Sequence, residues 1–423
     1  MHTTPATSEL TALVFEGAKT KGLDLTEEVI NRINIEVSGI EKLDAVDYFL
    51  TYKDIVDICN HHHIFRSPGR GSACGSLVNY CLDITRINPL NEGLIFQRFL
   101  NTSISKFPDI DIDIASGKRQ IIIDELKKKR PNEHINLVAF EPKEGEKTNI
   151  ELNGLHYKEH ACALIISKNP YSLPQASISE NDYYLIHNYP DGLRSLDKRK
   201  FDILQLESLN KLEQIANELE PQFQPYFLDL NDKETLEFFS KKDLDGIFQC
   251  TSASNKLFSD LKPQRFQDIV IMNALYRPVA MEQIPKVIKN KNKGYNEHYP
   301  TDPRVGALLK ETYGVFIYQE TFMHITVQIA GFTYETADIY RIKLVRKNTY
   351  LDIVSSFERE FKEGCKVHSK LSNVEIEHLS QTLVYGIQYA FNKSHSMSYA
   401  MISFWGAYYK THFRPIFNKV FGL

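Results

Sequence analysis

Between about Leu10 and His63 apolar residues recur near helical spacing, at Ile30, Ile33, Ile35, Ile40 and Leu43 and then at Tyr48, Phe49, Ile55 and Ile58, which predicts helices. A glycine-rich loop, Gly69–Gly75, follows and leads into a helix-like run over Ser76–Leu82. At Phe107–Ile114 the period changes to two. Asp109, Asp111 and Asp113 alternate with Ile110, Ile112 and Ile114, the pattern of an extended strand with carboxylates on one face and isoleucines on the other. A helix from about Arg119 ends in the basic cluster Lys127–Arg130 and is closed by Pro131. Residues 131–158 read as polar and turn-rich around Glu141-Pro142-Lys143-Glu144-Gly145. Ala161–Ile166 and Phe201–Leu206 are short apolar runs of the kind that form buried strands, the second with Asp202 embedded in it. From about Asn210 the pattern is helical to the end. The order is helices, a mixed α/β middle and a long helical half.

The acidic strand carries the clearest chemistry. Carboxylates this close repel one another, and the arrangement persists if a cation neutralises it, most simply a hard divalent metal bound through oxygen. A solvated acidic edge is the bland alternative. A calcium loop is excluded, because Ile114 and Gln120 stand where it needs glycine and glutamate. Asp202 is costly to bury unless it pairs with a cation such as Lys200 or binds metal.

In Gly69-Arg70-Gly71-Ser72-Ala73-Cys74-Gly75-Ser76, glycines let backbone approach a ligand, and amides near a helix N-terminus favour an anion such as phosphate. Arg70 and the serine hydroxyls would add donors, although a structural turn explains the glycines equally well. The loop is neither a Walker A motif nor a dinucleotide fingerprint, since Cys74 stands where the third glycine of the latter belongs.

Basic residues gather in the second half at Arg277, at Arg341, Lys343, Arg346 and Lys347, at Lys393 beside His395, and in the run Lys286, Lys289, Lys291 and Lys293. A solvated helical face is the usual reason for such spacing, and tracking a nucleic-acid backbone is the functional one. His61-His62-His63 reads as a surface turn, because three adjacent imidazoles do not easily converge on one ion.

The chain's 423 residues leave room for two or three domains. With 42% apolar residues, 25% charged residues and a net charge of −4, the whole chain does not advertise nucleic-acid binding, so any such surface must be local. Six scattered cysteines without a C-x-x-C pair argue against a zinc framework or a disulfide scaffold and fit a reducing cytosol. The absence of a signal-like start and of a long apolar segment leads us to expect a soluble cytoplasmic protein with no membrane partner.

Taken in order, GRGSACGSLVNYCLDIT, FQRFLN, FPDIDIDI, HACALIIS, KFDILQL, DGIFQ, ALYRP, YQE, AGFTYETAD and FNKSHSMSYA resemble the bacterial replicative DNA polymerase III alpha subunits, the C-family polymerases. The resemblance runs from about Ile33 to Pro415. It implies an α/β plus α fold, with a nucleotidyltransferase β-like palm on a mixed sheet followed by a large helical fingers domain. The expected organisation is leading helices at 1–63, palm at 64–126 and 156–209, a reduced thumb-like insertion at 127–155, and fingers at 210–423.

By the same resemblance Asp109, Asp111 and Asp202 hold two Mg2+ ions (or Mn2+), with Asp113 a neighbour of weaker claim. Gly71 and Ser72 would cradle the triphosphate. Arg70, Arg98, Lys200, Arg277, Arg341, Lys393 and His395 would complete a nucleotide and phosphate pocket, with His395 a candidate acid toward pyrophosphate. The implied partners are primer-template DNA and deoxynucleoside triphosphates, in a bacterial or phage-infected cell.

The departures qualify this picture. The family normally begins with a phosphatase-like domain and continues past the fingers into further modules, whereas this chain starts at the palm's leading helices and stops at Leu423. The thumb span is short, and Gln205, Val279 and Ala163 stand at family glycine or motif positions. We therefore expect a distributive, gap-filling or accessory polymerase, or one that borrows grip from a protein partner. The alternatives are an untemplated nucleotidyltransferase and a catalytically idle DNA-binding or assembly subunit.

Overall fold

The computed structural model describes residues 4–104, 106–143, 146–152, 154–169, 176–178, 183–186, 191, 196, 199–294, 301–345 and 350–423. Arg346, Lys347, Glu144 and Gly145 lie outside these described residues. The chain divides into two compact units, Met1–Asn88 with Lys106–Glu213, and Pro89–Ser105 with Gln214–Leu423.

The first unit opens with helices α1 (Pro5–Thr20), α2 (Glu27–Lys42) and α3 (Val46–His61). Thr4 and Thr26 start the first two by accepting the Thr7 and Val29 amides, which would otherwise be orphaned. Leu10, Val14 and Ala18 of α1 and Ile33, Val37 and Ile40 of α2 supply the buried stripes that the periodicity predicts. Ile35 is the exception, 55% exposed on the solvent side of α2.

The sheet comprises β1 (Asp111–Ala115), β2 (His134–Phe140), β3 (Ile150–Leu152), β4 (Leu155–Ser167), β5 (Ala176–Ile178), β6 (Tyr183–Ile186) and β7 (Lys200–Leu206). Its order is β1-β7-β4-β2-β6-β5, with β3 added to β4. The β1/β7 and β2/β6 pairs are parallel and the other pairings antiparallel, so the sheet is mixed. The turn-rich reading of 131–158 needs correction, because β2 lies within that span between β4 and β6. Its Ile135, Val138 and Ala139 are buried, but Pro131 and Pro142 on either side masked the short apolar run.

The second unit is helical. Phe322, Phe357, Phe361, Leu379 and Leu383 centre one apolar cluster, with the Phe357 and Phe361 rings stacked at 5.4 Å. Helix Lys393–His412 is buried on nearly all sides, and Phe266–Leu275 packs against it, with the Ser396 hydroxyl donating to the Val270 carbonyl at 2.7 Å. Among the described residues no helix is long and apolar enough to cross a membrane.

Candidate active site

Parallel pairing of β1 with β7 puts Asp111 in direct register with Asp202, so the two side chains project from neighbouring strands on one face. Asp109, just before β1, joins them. One carboxylate oxygen from each of Asp109, Asp111 and Asp202 lies within 4.8 Å of the other two. Exposure falls from 56% at the Asp109 side chain to 26% at Asp111 and 9% at Asp202. The cluster thus grades from an open mouth to a buried base.

Two tyrosines one helical turn apart fix this geometry. The Tyr52 hydroxyl donates to the Ile110 carbonyl and accepts the Asp202 amide at 3.0 Å, tying β1 to β7 beside the carboxylates. The Tyr48 hydroxyl accepts the Ile110 amide at 3.2 Å. Burial, above all, holds both phenols well above their usual pKa, so they act as neutral hydrogen-bonding posts. Their i, i+4 spacing within an apolar stripe was the only sequence signal for this role.

The electrostatics are unbalanced toward negative charge. Burial, reinforced by the Asp109 and Asp202 carboxylates, pushes Asp111 up to about 7 against the opposing pull of Arg70 and Lys200. Lys200 lies 2.6 Å from Asp202 and 3.7 Å from Asp109. Burial disfavours its charge, but the Asp202, Asp109 and Asp111 carboxylates outweigh that penalty and hold its pKa above the usual lysine value. The ion pair expected between Asp202 and Lys200 is therefore present, and it coexists with the carboxylate cluster. Three oxygen donors with surplus negative charge fit a hard divalent cation.

Arg70 is engaged by carboxylates of β1. Its guanidinium bridges Asp113 at 3.0 Å and Asp111 at 3.6 Å, and the Asp113 side chain is wholly buried beneath it. The helix start behind the glycine loop is also filled from within the protein. Glu36, itself fully buried, accepts the Leu77 and Val78 amides at 2.9 and 3.0 Å and the Ser76 hydroxyl at 2.6 Å. The anion expected at that helix N-terminus is a glutamate of the same chain. Gly71 and Ser72 remain half-exposed at the front of the loop, and Gly71 adopts the left-handed φ of +59° with open space where a Cβ would be.

The second unit gathers its own set of motifs. Tyr318 and Phe391 form a parallel bridge, flanked by Gln319 N–H to Phe391 O at 2.8 Å and Phe391 N–H to Ile317 O at 2.9 Å. Buried Glu320 accepts the Asn392 side chain at 2.7 Å and the Lys393 amide at 2.8 Å. Asn392 in turn caps helix Lys393–His412 through the His395 amide at 3.0 Å. The Gln319 side-chain oxygen receives Arg98 at 2.8 Å, while Arg341 pairs with Asp338 at 2.7 Å. Burial, with Arg341 close by, lowers Arg98 to about 10. Lys393 is bound to Glu311 at 2.9 Å and to the Glu92 carbonyl at 2.8 Å. Arg277 lies 4.2 Å over the Phe391 ring and donates to the Tyr389 carbonyl at 2.6 Å. The His395 ring lies 4.3 Å from the Tyr399 ring, tilted at 45° to it. Arg98 and Arg341 share the Gln319 side-chain oxygen, with Asp338 pairing Arg341, whereas the Lys393 ammonium is held separately by Glu311 and the Glu92 carbonyl; Glu320, Asp338 and Glu311 were not among the expected site residues.

Of the basic run, Lys291 is a buried structural partner of Asp268 at 2.9 Å, whereas Lys286, Lys289 and Lys293 are exposed. His61, His62 and His63 are exposed at the end of α3, and His62 lies 3.8 Å from Glu125.

A mixed sheet presenting a graded carboxylate cluster, with a separate helical unit, defines a nucleotidyltransferase β-like palm with helical fingers. Comparison with known proteins then gives the family. The profile described as "Bacterial DNA polymerase III alpha NTPase domain" matches residues 8–154, and that of the "Bacterial DNA polymerase III alpha subunit finger domain" matches residues 205–369. The DNA polymerase III subunit alpha of Mycoplasma pneumoniae is 30% identical over 92% of this chain and 51% of its own length. That of Bacillus subtilis is 30% identical over 97% of this chain and 42% of its own, and that of Campylobacter jejuni 30% over 95% and 40%. The chain belongs to the bacterial DNA polymerase III alpha family. It spans about half or less of the length of these relatives.

Proposed function

We propose that this chain catalyses template-directed deoxynucleotidyl transfer to a primer 3′-hydroxyl, with low processivity. The observation that carries the reading is the Asp109, Asp111 and Asp202 cluster, in which parallel pairing of β1 and β7 sets Asp111 opposite Asp202, Asp109 joins from just before β1, and surplus negative charge remains. Two Mg2+ ions, when bound there, would lower the pKa of the primer hydroxyl and neutralise charge on the departing pyrophosphate. The protein's own residues set up that chemistry. Tyr52 and Tyr48 lock the strand ends that carry the carboxylates, and Lys200 fixes one oxygen of Asp202. Arg70 holds Asp113 and steadies Asp111, and at the head of the loop it is also the candidate donor to the triphosphate. Gly71 and Ser72 are the other parts of the glycine loop left to receive the triphosphate. Arg98, Arg341 and Lys393 supply cationic character in the fingers, with His395 the candidate proton donor to pyrophosphate.

Residues 127–155 include β2, so the chain available for a thumb is shorter still than that span, and a net charge of −4 gives little overall phosphate neutralisation. Primer extension in magnesium, with a trap for dissociated enzyme, tests the proposal. The reading predicts template-dependent products extended by few nucleotides per encounter. Equal incorporation without template would overturn the templated reading, and extension over hundreds of nucleotides per encounter would overturn the distributive one.

A further inference from the structure

We propose that His160, Cys162 and Asp202 form a second cation site, suited to a thiophilic divalent ion such as Zn2+, which shares Asp202 with the carboxylate cluster. The site comes from an irregularity in β4. Between the Leu137–Leu164 and Ala139–Glu159 pairs, an advance of two residues along β2 is matched by five along β4. The extra residues form a bulge, which re-aims side chains that a regular strand would alternate between faces. His160 and Cys162 both lie in it.

The Cys162 sulfur lies 3.6 Å from His160 Nδ1 and 3.6 Å from Asp202 Oδ1, and the three residues' donor atoms all lie within 4.8 Å of one another. Around tetrahedral zinc, with a Zn–S bond of about 2.3 Å and Zn–N or Zn–O bonds of about 2.0–2.1 Å, sulfur sits roughly 3.5 Å from a neighbouring N or O ligand. The sulfur already stands at that spacing from both partners. His160 Nδ1 accepts the Ala163 amide at 3.1 Å and the Cys162 amide at 3.4 Å, so its lone pair is unprotonated, the form a metal requires; the ion would compete with both hydrogen bonds.

The two Asp202 oxygens have different partners. Oδ2 bonds Lys200 at 2.6 Å, while Oδ1 faces the thiol. Sulfur and imidazole select a borderline-soft ion over Mg2+, and three protein ligands leave a fourth position for water. Binding releases the thiol proton to solvent and forms the metal–sulfur bond with no redox change. An ion held here draws on a carboxylate that the magnesium cluster needs. The expected consequence, which rests on the polymerase reading, is inhibition of primer extension by Zn2+.

The test is titration of the full chain with Co2+, without nucleic acid, reading the near-ultraviolet thiolate-to-cobalt band. We expect a band that saturates at one ion per chain, is displaced by Zn2+, and disappears in Cys162→Ser and His160→Ala. Cys250, the other cysteine that is not fully buried, supplies the control, and Cys250→Ala should keep the band. Circular dichroism identifies any variant that fails to fold, and Cys162→Ala then replaces Cys162→Ser. Absence of the band in folded wild type, or its persistence in a folded Cys162 variant, would overturn the site. In primer extension, Cys162→Ser should need at least about tenfold more Zn2+ for half-inhibition. Equal Zn2+ sensitivity of the two proteins would overturn the sharing of Asp202. A wild type with the cobalt band but no extension activity would count against the polymerase reading while upholding the metal site.

Discussion

Replacing Asp111 by Asn removes one charge from the buried carboxylate cluster while preserving shape. With metal absent, burial and the Asp109 and Asp202 charges raise Asp111 from the usual 3.8 to about 7. Folding therefore favours the protonated carboxyl. That contribution is fully present below the unfolded value near 3.8 and is lost as pH rises through about 7. The rise corresponds to about 4 kcal/mol at 1.36 kcal/mol per pH unit. Water reaching the side chain, 26% exposed, screens part of it and leaves about 2–3 kcal/mol. Asp111→Asn should thus stabilise the metal-free protein at pH 8 by that amount, and at about 2–4 °C per kcal/mol for a unit of this size should raise its melting temperature by about 5–10 °C. At pH 4 the gain should largely vanish, because the wild-type carboxyl is then protonated. Thermal melts in a chelator at the two pH values check this. An Asp111→Asn protein that melts at or below wild type at pH 8 would refute the claim that unneutralised charge strains the cluster.

Glu36→Ala orphans the Leu77 and Val78 amides and the Ser76 hydroxyl. At about 1–3 kcal/mol per buried donor it should cost roughly 3 kcal/mol or more in urea denaturation, with Glu36→Gln milder. Tyr52→Phe removes the hydroxyl between Ile110 and Asp202, which should lower stability by about 1–3 kcal/mol and weaken Mg2+ binding in calorimetric titration.

Much of the site was legible because its residues sit in local patterns. Period-two alternation exposed Asp109 and Asp111, and a single carboxylate in an apolar run exposed Asp202; the structure adds that Asp111 and Asp202 are register partners. The helical half was equally readable from its periodicity. What escaped were relations between distant segments. Glu36 reads as one more polar position of an amphipathic helix until the fold brings Ser76–Val78 onto it, 40 or more residues away. Nothing in the glycine loop announces that β1 places Asp113 beneath Arg70. Cys162 reads as one of six scattered thiols, because its approach to Asp202 depends on a bulge that no local pattern announces. β2 was hidden for a different reason: its seven residues are outweighed by the polar, proline-bearing stretches around them.

The central claim is that Asp109, Asp111 and Asp202 hold divalent metal for nucleotidyl transfer. It is tested most directly by the primer-extension rate in magnesium for wild type, Asp111→Asn and Asp202→Asn, each first shown to be folded. The account predicts extension by wild type that stops on chelation, and a fall of at least about a thousandfold in each variant, equivalent to about 4 kcal/mol of lost transition-state stabilisation. Variants that extend primers as fast as wild type would contradict it.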